Sequence, residues 1–255
     1  MRGEEKLCSV IVPAYNCERT IRLSVESALH QSYTHLELLI VDDCSTDNTG
    51  FILKDLAQQD SRVRILFMEK NGGVAQARNR LFAEAKGAYI AFLDSDDIWE
   101  PTKLEKQIAL LESSGSDFVY SSYSFIDGKS ESIGTSKLVP SSCTLSDILK
   151  ENFILCSTVV MKSSLGKQYT MDGSYAHEDM VYWLTLLQGG CKAVGHPEVL
   201  VRYRIYDQNR SGNKAKAAKD RWIVYRKFLD FGLLKASGYF ILYAVNGFHK
   251  YRRLR

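Results

Sequence analysis

Between Cys8 and Gly115 the chain repeats one pattern four times: a short apolar run, then a segment with apolar residues at helical spacing. The runs are CSVIVPA, LELLIVDD, VRILFM and AYIAFLD. The segments that follow them are ERTIRLSVESALHQS, TGFILKDLAQQD, GVAQARNRLFAEAKG and PTKLEKQIALLESSG. In the first segment Ile21, Val25, Ala28 and Leu29 recur every three or four residues, which lines one face of a helix. The runs scarcely alternate with polar residues, so both faces of each strand have to be covered. Strands of that kind, each followed by a helix, predict an α/β fold with a parallel sheet between two helical layers. The punctuation agrees. Ser45, Thr46, Asp47 and Asn48 can cap the second helix, Gly87 can stop the third, and Pro101 suits the first turn of the fourth.

Beyond Asp117 the rhythm changes. The stretches DFVYSSYSFID, ILCSTVVMK and KAVGHPEVLVRYRI read as strands, interrupted by a helix from about His177 to Gln188. One domain is expected over residues 1–213, with a regular half at 1–116 and a loop-rich half at 117–213. The remainder, 214–255, is an aromatic, basic helical tail whose closing HKYRRLR carries Lys250, Arg252, Arg253 and Arg255 with no acid among them. Such an end suits the anionic surface of a membrane; the alternative is a helix packed on its own domain with a solvated basic end.

The bulk numbers exclude several classes. A net charge of +3 over 255 residues makes no case for nucleic acid. Six cysteines without C-x-x-C or zinc-like spacing argue against a disulfide framework and for a reducing compartment. The N-terminal apolar stretch is broken by Pro13 and does not read as a signal peptide. No run reaches the ~18 apolar residues of a membrane span. The expected location is cytoplasmic, with peripheral attachment to the cytoplasmic face of a bacterial inner membrane through the tail.

In an open parallel sheet, ligands bind beyond the carboxyl ends of the strands. The four ends here are Pro13-Ala14-Tyr15-Asn16, Asp42-Asp43, Asn71-Gly72-Gly73 and Asp94-Ser95-Asp96-Asp97. Taken singly, an aspartate after a strand is a turn residue and a tyrosine is packing. Four polar ends on one edge point to a site. Close carboxylates repel, so a cation has to answer them. All-oxygen donors without histidine or cysteine spacing favour Mg²⁺ or Mn²⁺, which bridges carboxylate to a phosphate. Neither a P-loop nor a G-x-G-x-x-G fingerprint is present to hold that phosphate.

SVIVPAYN, VDDCSTDNT, NGGVAQARN, FLDSDD and HEDMVYW, in that order over about residues 7–210, resemble the family 2 glycosyltransferases of GT-A, Rossmann-like fold. Within that family the chain looks most like small bacterial enzymes that build teichuronic acid, O-antigen or capsule. The resemblance implies a nucleotide-binding first half and an acceptor-binding second half. It implies that Pro13 and Tyr15 flank the uracil of a UDP-sugar beside Asn16, that Asp43 accepts from the uracil and that Asp42 supports the loop. Arg78 and Ser95 would lie at the donor, Asp94 at the ribose, and Asp96 on the Mn²⁺ or Mg²⁺ that bridges the diphosphate. Asp179 would be the general base. Asp97, Glu178 and Trp183 would border the donor sugar or the acceptor, a lipid-linked or oligosaccharide hydroxyl. Direct displacement with one base would invert the anomeric centre.

One position departs from the family pattern. Where a histidine of the form YR-x-H is common, this chain has YRIYDQNRS, with Tyr206 at the histidine position. Asp207 or water could fill it, and His177 and His196 are weaker candidates. Two other readings compete: a non-catalytic nucleotide-sugar-binding scaffold, and a nucleotidyltransferase. The first would tolerate loss of an acid at 94, 96, 178 or 179, all of which are kept. The second lacks its basic, glycine-rich loop after the first strand.

Overall fold

The computed structural model describes residues 5–206 and 214–252, with side chains from 215 to 246 in the tail. The expected strand–helix alternation is present in full. It runs β1 (Cys8–Ala14), α1 (Ile21–Leu29), β2 (Leu36–Asp42), α2 (Thr49–Gln59), β3 (Val63–Phe67), α3 (Val74–Glu84) and β4 (Tyr89–Phe92). A two-residue strand β5 (Ile98–Trp99) precedes α4 (Lys103–Ser114). The second half contains β6 (Phe118–Ile126), β7 (Ser132–Lys137), α5 (Leu145–Lys150), β8 (Val160–Lys162), α6 (Ser163–Gln168), α7 (Glu178–Gln188) and β9 (Ala193–Arg204). The tail holds α8 (Lys214–Ile223), a π-helical segment Val224–Phe228, and α9 (Leu233–Arg252).

The strands form one sheet in the order β3-β2-β1-β4-β8-β6-β9-β5, with β7 paired to β6. β1 to β4 are mutually parallel where they pair, and β6 and β9 are parallel, whereas β8 runs against both β4 and β6. Period-two alternation splits the core into two layers. Val10, Val12 and Ala14 of β1 pack with Val25, Leu53 and Ile108 from α1, α2 and α4. Ile11 faces Leu81 and Phe82 of α3 in the other layer, which also takes α5, α6 and α7. Each such aliphatic side chain contributes roughly 1.5–3 kcal/mol when fully buried.

Two local expectations are corrected. Within the expected strand at 154–162 only the last three residues join the sheet. Cys156–Thr158 forms a 3-10 turn instead, because the Thr158 hydroxyl donates to the Leu155 carbonyl at 2.7 Å and draws the backbone out of the ladder. Gly87 does not end α3, which closes at Glu84. Its smallness serves a close approach to β1: a Cβ there would lie 2.6 Å from the Leu7 carbonyl oxygen. β5 and the exposed β7 carry too few apolar residues to announce themselves as strands.

Lys103, the first residue of α4, is fully buried, with its ammonium 4.0 Å from the Trp99 ring centroid and no hydrogen-bond partner. Burial pulls its pKa down to about 7. The folded state therefore binds this proton less tightly than the unfolded chain. The resulting destabilisation is complete below pH 7 and is relieved as pH rises from 7 toward 10. Each tenfold weakening of proton binding costs the fold about 1.4 kcal/mol. Lys103→Met is therefore expected to raise the unfolding free energy at pH 6 by a few kcal/mol, and by clearly less at pH 9. Denaturant melts at the two pH values check this; an equal gain at both would contradict it.

The tail packs on the domain by one face. Three side chains cap the carbonyls of the last turn of α5: Arg221 Nη1 donates to Ile148 at 3.4 Å, the Tyr225 hydroxyl to Leu149 at 2.6 Å, and Asn246 Nδ2 to Lys150 at 3.3 Å. These are the groups a helix C-terminus leaves unsatisfied. Trp222 meets Phe240 edge to face with ring centroids 5.5 Å apart.

Candidate active site

Four polar strand ends were expected at one edge, and parallel pairing places them there. Ala14 lies opposite Asp42, and Asp42 opposite Phe67, while Leu93 just after β4 donates to the Ile11 carbonyl. The ends of β1 and β2 are interlocked by Asn16, which adopts a left-handed φ of 48°. Its Oδ1 accepts from the Thr46 backbone at 2.8 Å, and its N–H donates to the Ser45 hydroxyl at 3.0 Å. Cys44 is also left-handed at φ 63°. Non-glycine residues held in that region cluster at functional sites, where surrounding bonds over-determine them. Tyr15 stands 51% exposed beside partly buried Pro13, so it offers a ring face to a ligand.

Asp42 and Asp43 are both buried. Asp42 Oδ1 accepts from the Ser45 N–H at 3.0 Å, which fits its expected support of the loop. Asp43 accepts from the N–H groups of Gly72 and Gly73 at 2.7 and 2.8 Å, one per carboxylate oxygen. Gly73 has φ 79°, so a glycine is needed to turn its N–H toward that carboxylate. Asp43 thus ties the second strand end to the third.

The fourth end carries Asp94, Ser95, Asp96 and Asp97, and the protein supplies two cations to it. Arg78 of α3, only 4% exposed, donates to Asp94 Oδ1 at 2.6 Å and reaches Glu178 Oε1 at 3.5 Å. Arg204 of β9, 1% exposed, donates its backbone N–H to Asp97 Oδ1 at 2.9 Å and Nε–H to the Asp96 carbonyl at 2.7 Å. Its outer nitrogens bond the Asp127 carbonyl and the Ser130 hydroxyl. Ser157, in the 3-10 turn, receives the Asp94 N–H at 3.0 Å.

These contacts revise several expectations. Arg78 is turned to the carboxylates of Asp94 and Glu178 and so joins α3 to the end of β4 and to α7. Asp97 is fully buried, with Oδ2 unpartnered, so it cannot border a sugar. Burial, and then the charges of Asp96 and Asp94, push its carboxyl well above the usual range. Trp183 is also withdrawn from sugar contact. It is fully buried, stacked on Phe118 at 5.8 Å and edge-on to Phe92 at 5.5 Å. The residues the sequence reading missed are Arg204 and Ser157. Only the basic character of the RYR at the end of β9 hinted at the first.

Asp179, the expected base, is partly buried at the start of α7, and its Oδ1 accepts from the Met180 N–H at 2.7 Å. Glu178 beside it is buried. Cys156 marks where the two halves meet: its buried thiol feels the charges of Arg78, Asp94, Asp179 and Glu178 together.

The donor chemistry fits a hard divalent cation. Asp94 and Asp96 carry oxygen donors two residues apart, and Asp96 is held up at about 6 by burial and then by the Asp94 charge. A cation would relieve that repulsion. Among the described residues no group of three His, Cys, Asp or Glu side chains is placed to hold a metal. The protein would therefore provide few ligands and leave the rest to phosphate and water, as is usual for Mg²⁺. Tyr206, at the position of the family's histidine, is 36% exposed, and Asp207 lies outside the described residues.

A half-parallel sheet with this acid edge, extended by a mixed second half that brings α7 alongside, is the GT-A fold of nucleotide-sugar-dependent transferases. The chain belongs to glycosyl transferase family 2, whose model matches residues 9–172. It is 39% identical over 250 residues to the glycosyltransferase TuaG of Bacillus subtilis (strain 168), named for teichuronic acid biosynthesis, covering 98% of this chain and 99% of that one. It is 37% identical over 250 residues to WfgD of Escherichia coli, a UDP-Glc:α-D-GlcNAc-diphosphoundecaprenol β-1,3-glucosyltransferase, covering 97% and 96%. Among solved structures, the mannosyltransferase PcManGT from Pyrobaculum calidifontis, in complex with GDP-Man and Mn²⁺, superposes with a TM-score of 0.71 at 17% identity. That match covers 93% of this chain and 70% of that one. The low identity makes it a likeness of fold. The chain is thus a glycosyltransferase.

Arg78 carries the junction of the two halves, which gives a direct test. Arg78→Met leaves Asp94 and Glu178 without their shared cation and is expected to cost on the order of 3–5 kcal/mol. Arg78→Lys keeps the charge but not the fork, and should recover only part of that loss. Chemical denaturation of the three proteins checks both. Full stability in Arg78→Lys would show that the two-armed geometry is unimportant.

Proposed function

We propose that the chain is an inverting glycosyltransferase that moves a hexose-type sugar from a UDP-sugar to a hydroxyl of an undecaprenyl-diphosphate-linked glycan. Its place would be the assembly of a bacterial surface polysaccharide. The observation that carries this reading is the junction at Arg78, which brings the acid edge of the donor half against Glu178 and Asp179 of α7. The reaction in the name of WfgD supports the choice of donor and acceptor, and the name of TuaG supports a surface polysaccharide as the product.

Each step falls to residues described above. The exposed Tyr15 ring stacks on uracil, with Pro13 on its flank. Asp43 and Asn16 hold the strand-end loops in the shape that receives the base, and Asp94, fixed by Arg78 and Ser157, accepts from the ribose. Ser95 borders the donor. Asp96, with Asp94, would hold Mn²⁺ or Mg²⁺, which when bound stabilises the leaving diphosphate as a Lewis acid. Asp179 stands in the first turn of α7. There it takes the proton of the acceptor hydroxyl as that oxygen attacks the anomeric carbon. One base and one displacement invert the anomeric centre. Glu178, held by Arg78, sets the floor of the acceptor side.

The acceptor's lipid gives the tail a role. Leu234, Ile241, Leu242 and Val245 are exposed along one side of α9, while Ala236, Tyr239, Phe240 and Tyr243 pack inward. At 100° per residue the exposed four fall within a single stripe. Exposed Lys235 and the basic end of the sequence flank it. No helix among the described residues is long and apolar enough to cross a membrane. The stripe would lie in the headgroup region of the cytoplasmic leaflet.

UDP release from a panel of UDP-sugars tests the reading. It is expected to need Mn²⁺ or Mg²⁺ and to vanish in Asp96→Asn. Asp179→Asn should retain UDP binding and lose on the order of 10²–10⁴ in transfer rate. Undiminished turnover without divalent metal, or in Asp179→Asn, would remove the corresponding assignment. Separately, Leu234→Glu with Ile241→Glu should abolish co-flotation with phosphatidylglycerol vesicles; unchanged flotation would refute the docking face.

A further inference from the structure

Residues 169–177, between α6 and α7, run directly into Glu178 and Asp179 and are fastened from two sides. On the donor side, the Met171 backbone exchanges two hydrogen bonds with the Asn79 amide of α3, at 2.8 and 2.9 Å. On the other side the fastening comes from the tail. The Tyr175 ring meets Phe228 edge to face, with centroids 5.6 Å apart, and His177 Nε2 lies 3.4 Å from the Ala217 carbonyl of α8.

The start of α7 is held through Glu178 by Arg78, but the turn that leads into it supplies no side-chain cap. His177 occupies the N-cap position, yet its side chain makes no capping bond to the first turn. A helix start without a side-chain cap lacks roughly 1 kcal/mol of local support. Phe228, in contrast, closes a π-helical segment, whose extra residue per turn re-aims a side chain and recurs at functional sites. That segment is itself anchored, by Tyr225 to the Leu149 carbonyl and by Arg226 to the Phe231 carbonyl.

We propose that Phe228, with the α8 backbone, is a positioning element for the acceptor base: it fixes the Tyr175–His177 turn and so aims Asp179. The inference rests on the reading of Asp179 as base. A displacement of about 1 Å in a catalytic group can cost up to 10²-fold in rate, so a ring contact one turn of chain away has leverage. The helix pair that offers its outer face to lipid thereby sets, with its inner face, the group that meets the lipid-linked hydroxyl.

The test uses the full chain with UDP-sugar, lipid-linked acceptor and Mn²⁺. Phe228→Ala is expected to lower kcat about tenfold while the donor KM and the calorimetric affinity for UDP stay within twofold. Phe228→Tyr, which keeps the ring, should restore kcat. Phe228→Leu keeps apolar volume without the ring edge and should show the same split as Phe228→Ala if the latter does not fold. Adding Phe228→Ala to Asp179→Asn should cost nothing beyond Asp179→Asn alone, because both act through one carboxylate. The proposal is overturned by a kcat within twofold of the parent, by parallel loss of kcat and UDP affinity, by failure of Phe228→Tyr to restore the rate, or by additive losses in the double variant. Normal turnover of Asp179→Asn by itself would instead refute the base assignment, whatever the Phe228 result.

Discussion

Arg78 is the contact on which the site depends. It rises from α3 on the donor side, is shut away from solvent, and spans Asp94 at the end of β4 and Glu178 at the start of α7. A guanidinium so buried needs carboxylates beside it to offset the loss of water, and Asp94 and Glu178 supply them. The end of β4 and the start of α7 are thereby tied to one another through α3. A lysine has neither the reach nor the fork to do this.

The same logic explains how three aspartates can follow β4 in close succession. Arg78 answers Asp94. Arg204 holds Asp97 by its backbone N–H and the Asp96 carbonyl by its side chain, which shapes the loop without neutralising the Asp96 carboxylate directly. Asp96 and Asp97 are both held above the usual carboxylate range, by burial first and then by their acidic neighbours. Asp97 is shut inside the fold, so of the two only Asp96 is placed to meet the cation proposed above.

Much of this was legible in the residues. Continuous apolar runs and helical spacing specified the parallel half, because burial on both faces leaves a pattern that few other arrangements share. The strand ends placed Tyr15, Asn16, Asp42, Asp43 and Asp94 at one edge, since topology alone brings them together. What remained hidden depended on long-range packing. Asp97 and Trp183 look available in the sequence, yet β9 covers the first, and Phe92 of β4 and Phe118 of β6 cover the second. Arg78 was expected at the donor; that it also joins Glu178, 100 residues later, shows only once the chain is folded. Ser157 carries no local signal and Arg204 only the basic character of its strand end, since a strand-end arginine and a serine in a turn are ordinary until their partners are placed.

The central claim is that the acid edge and Asp179 act from opposite sides of the sugar in a single displacement. The anomeric configuration of the product tests it most directly. With an α-linked UDP-hexose donor and a GlcNAc-diphospholipid acceptor, proton NMR coupling at the new glycosidic carbon should report a β linkage. An α linkage would mean retention, and would contradict a mechanism that rests on one base and one attack.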